Sequence, residues 1–140
     1  MLGGIISGGR DSDKGTEQAV TTPGPSKPTS LEVLIDDVRR FRDERPCLVA
    51  RTSADGVVLL DRLRARRIDH LWLDHDLIGD DTIWPVIRVL EDAALQGRPF
   101  DIGMAHVQAA RAGPAHRIVT SLRRVGYPVG RSSDLGMWTR

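Results

Sequence analysis

Asp74-His75-Asp76 puts two carboxylates and an imidazole in consecutive positions directly after a short apolar run, Leu71 to Leu73. Carboxylates one residue apart suit a divalent cation, or a pair whose pKa values are pushed apart. Alternation along an extended edge sends Asp74 and Asp76 to one side and His75 to the other. Two further acids, Asp36-Asp37, follow the apolar stretch Leu31 to Ile35, and His106 follows Phe100 to Ala105. Carboxylates drawn together repel one another unless a cation neutralises them or some stay protonated. Asp36, Asp37, Asp74 and Asp76 are therefore the candidate ligands of a hard, oxygen-ligated cation, with Mg²⁺ the expected cofactor. His75 and His106, with ordinary pKa values of about 6.5, are the candidate acid/base groups. His70 precedes its strand core and His116 falls in a helical pattern, so both are read as structural or solvent-facing. Asp80 or Asp81 is expected to cap the helix that follows the acidic stretch.

These groups converge only if the chain places three strand ends side by side. Leu31-Glu32-Val33-Leu34-Ile35 and Cys47-Leu48-Val49-Ala50 read as the first two strands. The residues between them, 38 to 46 (VRRFRDERP), are too few for a full crossover helix. Thr52-Ser53-Ala54-Asp55 has the form of a capping box. After it Val57, Val58, Leu60, Leu63 and Ile68 recur at helical spacing, with Arg62, Arg64, Arg66 and Arg67 toward a solvated face. Leu71 to Leu73 is the third strand. A second helix opens at Thr82-Ile83-Trp84-Pro85, with proline tolerated in its first turn, and stops at Gly97. A fourth strand over Phe100 to Ala105 ends at His106, and Ile118, Val119, Leu122 and Val125 mark a helix capped by Gly126. Tyr127-Pro128-Val129 is the last strand. The expected fold class is α/β, a flavodoxin-like parallel five-stranded sheet of order 2-1-3-4-5. Helices are expected on both faces, with the first crossover helix short or absent. That order brings strands one, three and four together, with their carboxyl ends at the switch point where ligands bind.

Composition sets the surroundings. The chain has 140 residues and a net charge of +1, which argues against an extended nucleic-acid surface. Residues 1–29 are rich in Gly, Ser, Thr and Pro, and are expected to form a disordered tail ahead of a single domain over 30–140. The lone Cys47 excludes an internal disulfide framework, and no apolar run is long enough to span a membrane. A cytoplasmic protein is the expectation.

Acids after strands one and three resemble the pocket of a response-regulator receiver domain, over residues 31 to 130. Phosphorylatable receivers carry a lysine at the end of strand five and a hydroxyl residue after strand four. Here no lysine follows Lys27, and Ala105-His106 stands at the second place. The chain is more similar to the cyclic-phosphate-processing receiver-like family. Shared features are Ile35-Asp36-Asp37-Val38-Arg39, Leu73-Asp74-His75-Asp76-Leu77, His106 after strand four, the Gly113 loop, and Gly126-Tyr127-Pro128-Val129. Ile78 displaces the glycine that follows the LDHDL motif. Val107, Gln108 and Ala109 stand where the family pattern has Ser and Asn after its histidine. The resemblance implies a phosphoesterase acting on nucleotide-derived or RNA-end cyclic phosphates. In that scheme the aspartates hold a metal, Asp74, His75 and His106 are catalytic, and Arg39 or Arg111 grips the phosphate through a bidentate contact. The alternative is a non-catalytic receiver-like module that binds a protein or nucleotide at the same edge and is not phosphorylated like a response regulator.

Overall fold

Five strands in a computed structural model form one parallel sheet: β1 (Glu32–Ile35), β3 (Leu48–Ala50), β4 (Ile68–Asp74), β5 (Ile102–Gln108) and β6 (Val129–Arg131). The structure describes residues 30–132 and 135–139, so the expected disordered tail, 1–29, lies outside the described residues. The spatial order is β3-β1-β4-β5-β6, the 2-1-3-4-5 arrangement expected from the sequence. β1 and β4 are buried along most of their length, as central strands of a parallel sheet must be. Register sets the level of each strand end: Ile35 lies opposite Leu73 and Ala50, and Asp74 lies opposite Gln108.

Three helices follow strands. α1 (Ser53–Arg62) starts at Thr52, whose hydroxyl accepts from the Asp55 amide, as the capping box predicts. α2 (Trp84–Leu95) has Pro85 in its first turn, and α3 (Ala112–Arg124) gives way to Gly126, whose φ of +99° is a left-handed conformation open to glycine. Gly56 lets α1 lie close against the sheet and α2. A Cβ there would meet Ile35 Cδ1 and Val86 Cγ2 at 3.0 Å.

Four expectations are corrected. First, Ile68 opens β4 instead of closing the first helix, which ends at Arg62. Second, β5 continues past His106 to Gln108, because Val107 and Gln108 still pair with Leu73 and Asp74. Third, Asp81 does not cap α2, whose N-cap is Ile83 with no side-chain bond. Its carboxylate instead accepts from the Ser53 amide at 2.7 Å and the Ser53 hydroxyl at 2.5 Å, at the start of α1.

The fourth correction concerns helices on both faces. Odd-numbered sheet residues (Val33, Ile35, Leu71, Leu73, Ala105, Val107, Val129) share one buried cluster with the inward side chains of all three helices. The opposite face buries Leu34 and Trp72 against Phe41 and Trp138, with no residue of the three α-helices in that cluster. Those two aromatics come from an antiparallel pair of two-residue strands, β2 (Arg40–Phe41) and β7 (Trp138–Thr139). Phe41 stacks on Trp138 at 4.6 Å, and both meet the Trp72 ring edge-on at 5.4 Å. Burying aromatics of this size contributes on the order of 2–3 kcal/mol each, enough to replace a helix as the cover of that face. Among the described residues no helix stands between β1 and β3, in line with the short connector.

Candidate functional site

At the carboxyl ends of β1 and β4, Asp36, Asp37 and Asp74 each offer a carboxylate oxygen, and these oxygens lie within 4.8 Å of one another. Asp36 is fully buried. Its Oδ1 accepts from the backbone amides of Val38 (2.9 Å) and Arg39 (2.7 Å), the local turn that aspartate favours. Its Oδ2 accepts from Arg39 Nη1 at 3.2 Å, and the same nitrogen stands 3.6 Å from Asp74 Oδ2. Arg39 thus lies between two of the acids. Arg51 fastens this turn from behind, its Nη1 donating to the Asp36 and Arg39 carbonyls at 3.0 and 2.6 Å.

Electrostatics follow from that crowding. Burial raises the Asp74 pKa from 3.8 to about 7, reinforced by repulsion from Asp36 and Asp37 and opposed by Arg39. Asp74 consequently holds a proton near neutrality until a stronger cation arrives. Three hard oxygen donors gathered this closely could hold a divalent ion.

The remaining candidates are placed less tightly around this trio. Asp76 falls outside it: its side chain is 60% exposed and its backbone bridges to Thr82. His75 is buried, its amide donates to the Gln108 carbonyl, and its Nδ1 lies 2.9 Å from Asp76 Oδ1. Arg111 is exposed at the N-cap of α3, on the loop that follows β5. His116 is exposed on α3, as expected.

His106 is two residues short of the strand end and finds partners on the helix-free face. Its Nε2 lies 3.0 Å from His70 Nδ1, and its ring stacks on Trp72 at 3.8 Å with planes 13° apart. Burial lowers its pKa, as does the neighbouring His70, while Glu32 pulls the other way. Glu32 is itself buried, accepting from Trp72 Nε1 at 3.0 Å and Arg45 Nη1 at 3.2 Å. His70, read from sequence as structural or solvent-facing, is therefore the direct partner of the candidate acid/base group. Sequence reasoning also misses Gln108, which stands level with Asp74 on the next strand. Extending the alternation from His106 by two residues would find it.

A cavity of about 500 Å³ between α1 and α2, floored by Val57, Val89 and Phe100, lies away from these groups and contains none of them. Among known families, the model described as cyclic-phosphate processing receiver domain matches residues 31–124. No curated protein matches the chain.

Proposed function

Starting from the fact that this chain belongs to the cyclic-phosphate processing receiver domain family, matched over residues 31–124, we propose that it hydrolyses nucleotide-derived or RNA-end cyclic phosphates at the Asp36–Asp37–Asp74 edge. The observation that carries this reading is three carboxylate oxygens within 4.8 Å of one another with a guanidinium among them. Such a site binds and neutralises an oxyanion only with added positive charge. Asp36, Asp37 and Asp74 would hold a divalent cation, which when bound offsets phosphoryl charge and acidifies water.

The chain's own groups do the rest. Arg39 turns part of its planar fork to the phosphoryl oxygens, and Arg111 reaches the same edge from the start of α3. Water adds to phosphorus, one ring P–O bond breaks, and the departing ribose oxygen takes a proton to leave a phosphomonoester. His106, neutral at rest, takes at Nδ1 the proton that the water sheds and passes it to that oxygen, while Nε2 stays in its hydrogen bond with His70. His75, buried and bound to Asp76, takes no proton step.

The test is turnover of 2′,3′-cyclic nucleotides and ADP-ribose cyclic phosphates with and without Mg²⁺ or Mn²⁺. Metal-dependent release of a phosphomonoester, abolished in Asp74→Asn, is the expected result. Binding without turnover leaves the non-catalytic module, a reading that the Arg39 guanidinium favours by occupying the pocket itself.

A further inference from the structure

Gln108 is the residue of β5 that reaches the level of the acids. It pairs in register with Asp74, and its carbonyl accepts from the His75 amide. In-register neighbours on parallel strands leave the sheet on the same face, as Leu73 and Val107 do on the helical side and Trp72 and His106 on the other. Gln108 therefore leaves on the face of Asp74, beside the carboxylate cluster. It is 7% exposed, and its Nε2 is buried with no hydrogen-bond partner among the described residues. A buried amide donor without a partner destabilises a fold. The Asp74 carboxyl on the adjacent strand offers acceptor oxygens, yet the amide does not bond to it.

We infer that Gln108 is a binding residue whose side-chain amide donates to a phosphoryl oxygen of the substrate held at the Asp36–Asp37–Asp74 cluster. The inference rests on the phosphoester reading above. Once a cation draws the carboxylate lone pairs inward, the acceptor left for the Gln108 donor is an oxygen of the ligand. A neutral amide suits that role, because it adds a donor without adding charge to a site whose charges are already set by Arg39 and the acids.

The test uses the full chain and the variants Gln108→Leu and Gln108→Met, which keep the approximate size and remove the donor. Three quantities are measured: the thermal midpoint, the affinity for Mg²⁺ alone, and the affinity for inorganic phosphate at saturating Mg²⁺. An apolar side chain relieves the orphaned donor, so the midpoint should hold or rise, and Mg²⁺ affinity should stay within about twofold. Phosphate affinity should fall by roughly tenfold or more, the worth of a hydrogen bond to a charged acceptor. Either variant suffices if the other fails to fold. Unchanged phosphate affinity overturns the inference, as does loss of Mg²⁺ affinity or a drop in midpoint in both variants, which would mark Gln108 as structural. Wild-type protein that binds neither Mg²⁺ nor phosphate overturns the phosphoester reading and takes this inference with it. Wild-type binding that both variants retain removes this inference alone.

Discussion

Replacing Asp74 with asparagine should stabilise the protein while removing one ligand of the proposed cation site. In the folded chain the Asp74 pKa stands at about 7, against 3.8 in its ordinary state, because the carboxyl is buried and faces Asp36 and Asp37. The sign follows from proton counting. Below the unfolded value both states are protonated and the carboxyl exacts nothing. As pH rises through the window from about 4 to 7, the unfolded chain ionises first, so stability falls, and above about 7 the penalty is constant. At about 1.4 kcal/mol per pH unit, the penalty at pH 8 is on the order of 4 kcal/mol. Part of that will not be recovered in Asp74→Asn, since the amide forfeits the attraction to Arg39. A net gain of about 1–3 kcal/mol at pH 8 is expected. The pH-dependent part is the cleaner quantity, because it does not depend on how well an amide replaces a carboxyl. The advantage of the variant at pH 8 should exceed that at pH 5 by roughly 2–3 kcal/mol. Each kcal/mol moves the midpoint of a domain this size by about 4–8 °C, well within reach of thermal or urea unfolding. Millimolar Mg²⁺ or Mn²⁺ should raise the wild-type midpoint and leave that of Asp74→Asn alone. A variant less stable than wild type at pH 8, or an advantage equal at pH 5 and pH 8, would refute the picture of a strained carboxylate cluster.

Arg39→Gln removes the guanidinium that opposes the rise of Asp74, so it should lower stability by about 1–3 kcal/mol, and added Mg²⁺ should restore most of that in unfolding experiments. His106 is held neutral in the fold by burial and by His70, so its contribution is present above about pH 6.5 and lost as pH falls; His106→Asn should flatten the acid limb of the stability profile. His70→Asn removes the one neighbouring group that, besides burial, lowers the His106 pKa, so the acid limb of a pH–rate profile should move to higher pH, and an unmoved limb would separate the two rings functionally. Acetyl phosphate should add no mass to the protein, since no lysine follows Lys27 to steady an acyl phosphate; a gain of one phosphoryl group on Asp74 would contradict this.

What the sequence disclosed, and what it hid, divides along the range of the interactions. Apolar runs that end in acids are local signals, and they locate β1, β4 and the convergence of Asp36, Asp37 and Asp74. Thr52 and Asp55 lie within one helical turn, so the first helix start is legible too. By contrast β2 and β7 are two residues each, too short to show any period, and they pair from nearly opposite ends of the described chain. Without that pairing nothing in the pattern says that Phe41 and Trp138 close one face of the sheet. Amphipathic helices announce that they have a buried side but not which face of the sheet receives it, so the pattern alone suggests helices on both. His70 with His106, and Asp74 with Gln108, are decided by inter-strand register, which a run of residues does not encode. Asp81 stands just ahead of α2 in the chain, where a cap for that helix is the local reading; only the fold brings Ser53 of the preceding helix within reach.

The missing crossover helix bears directly on the chemistry of the site. A helix after β1 would carry Arg39 away on a regular spiral, whereas here the chain turns at Asp36 and is pinned again at once by Phe41 under Trp138. Arg51 holds the carbonyls of Asp36 and Arg39 between those two anchors, so the guanidinium is confined beside the acids by backbone and not by its own flexible stem. A cation entering the cluster must either share the carboxylates with Arg39 or turn it outward. Turning it outward offers its fork to a phosphoryl oxygen at the moment the ion arrives. Metal affinity and phosphate affinity should therefore rise together in the wild type. In Arg39→Gln that coupling should disappear: with no guanidinium to displace, Mg²⁺ should bind as well or better, while phosphate at saturating Mg²⁺ binds more weakly. Calorimetry of each ligand with and without the other measures the coupling directly. A coupling that survives the substitution would mean that Arg39 is only a counter-charge for the folded apoprotein.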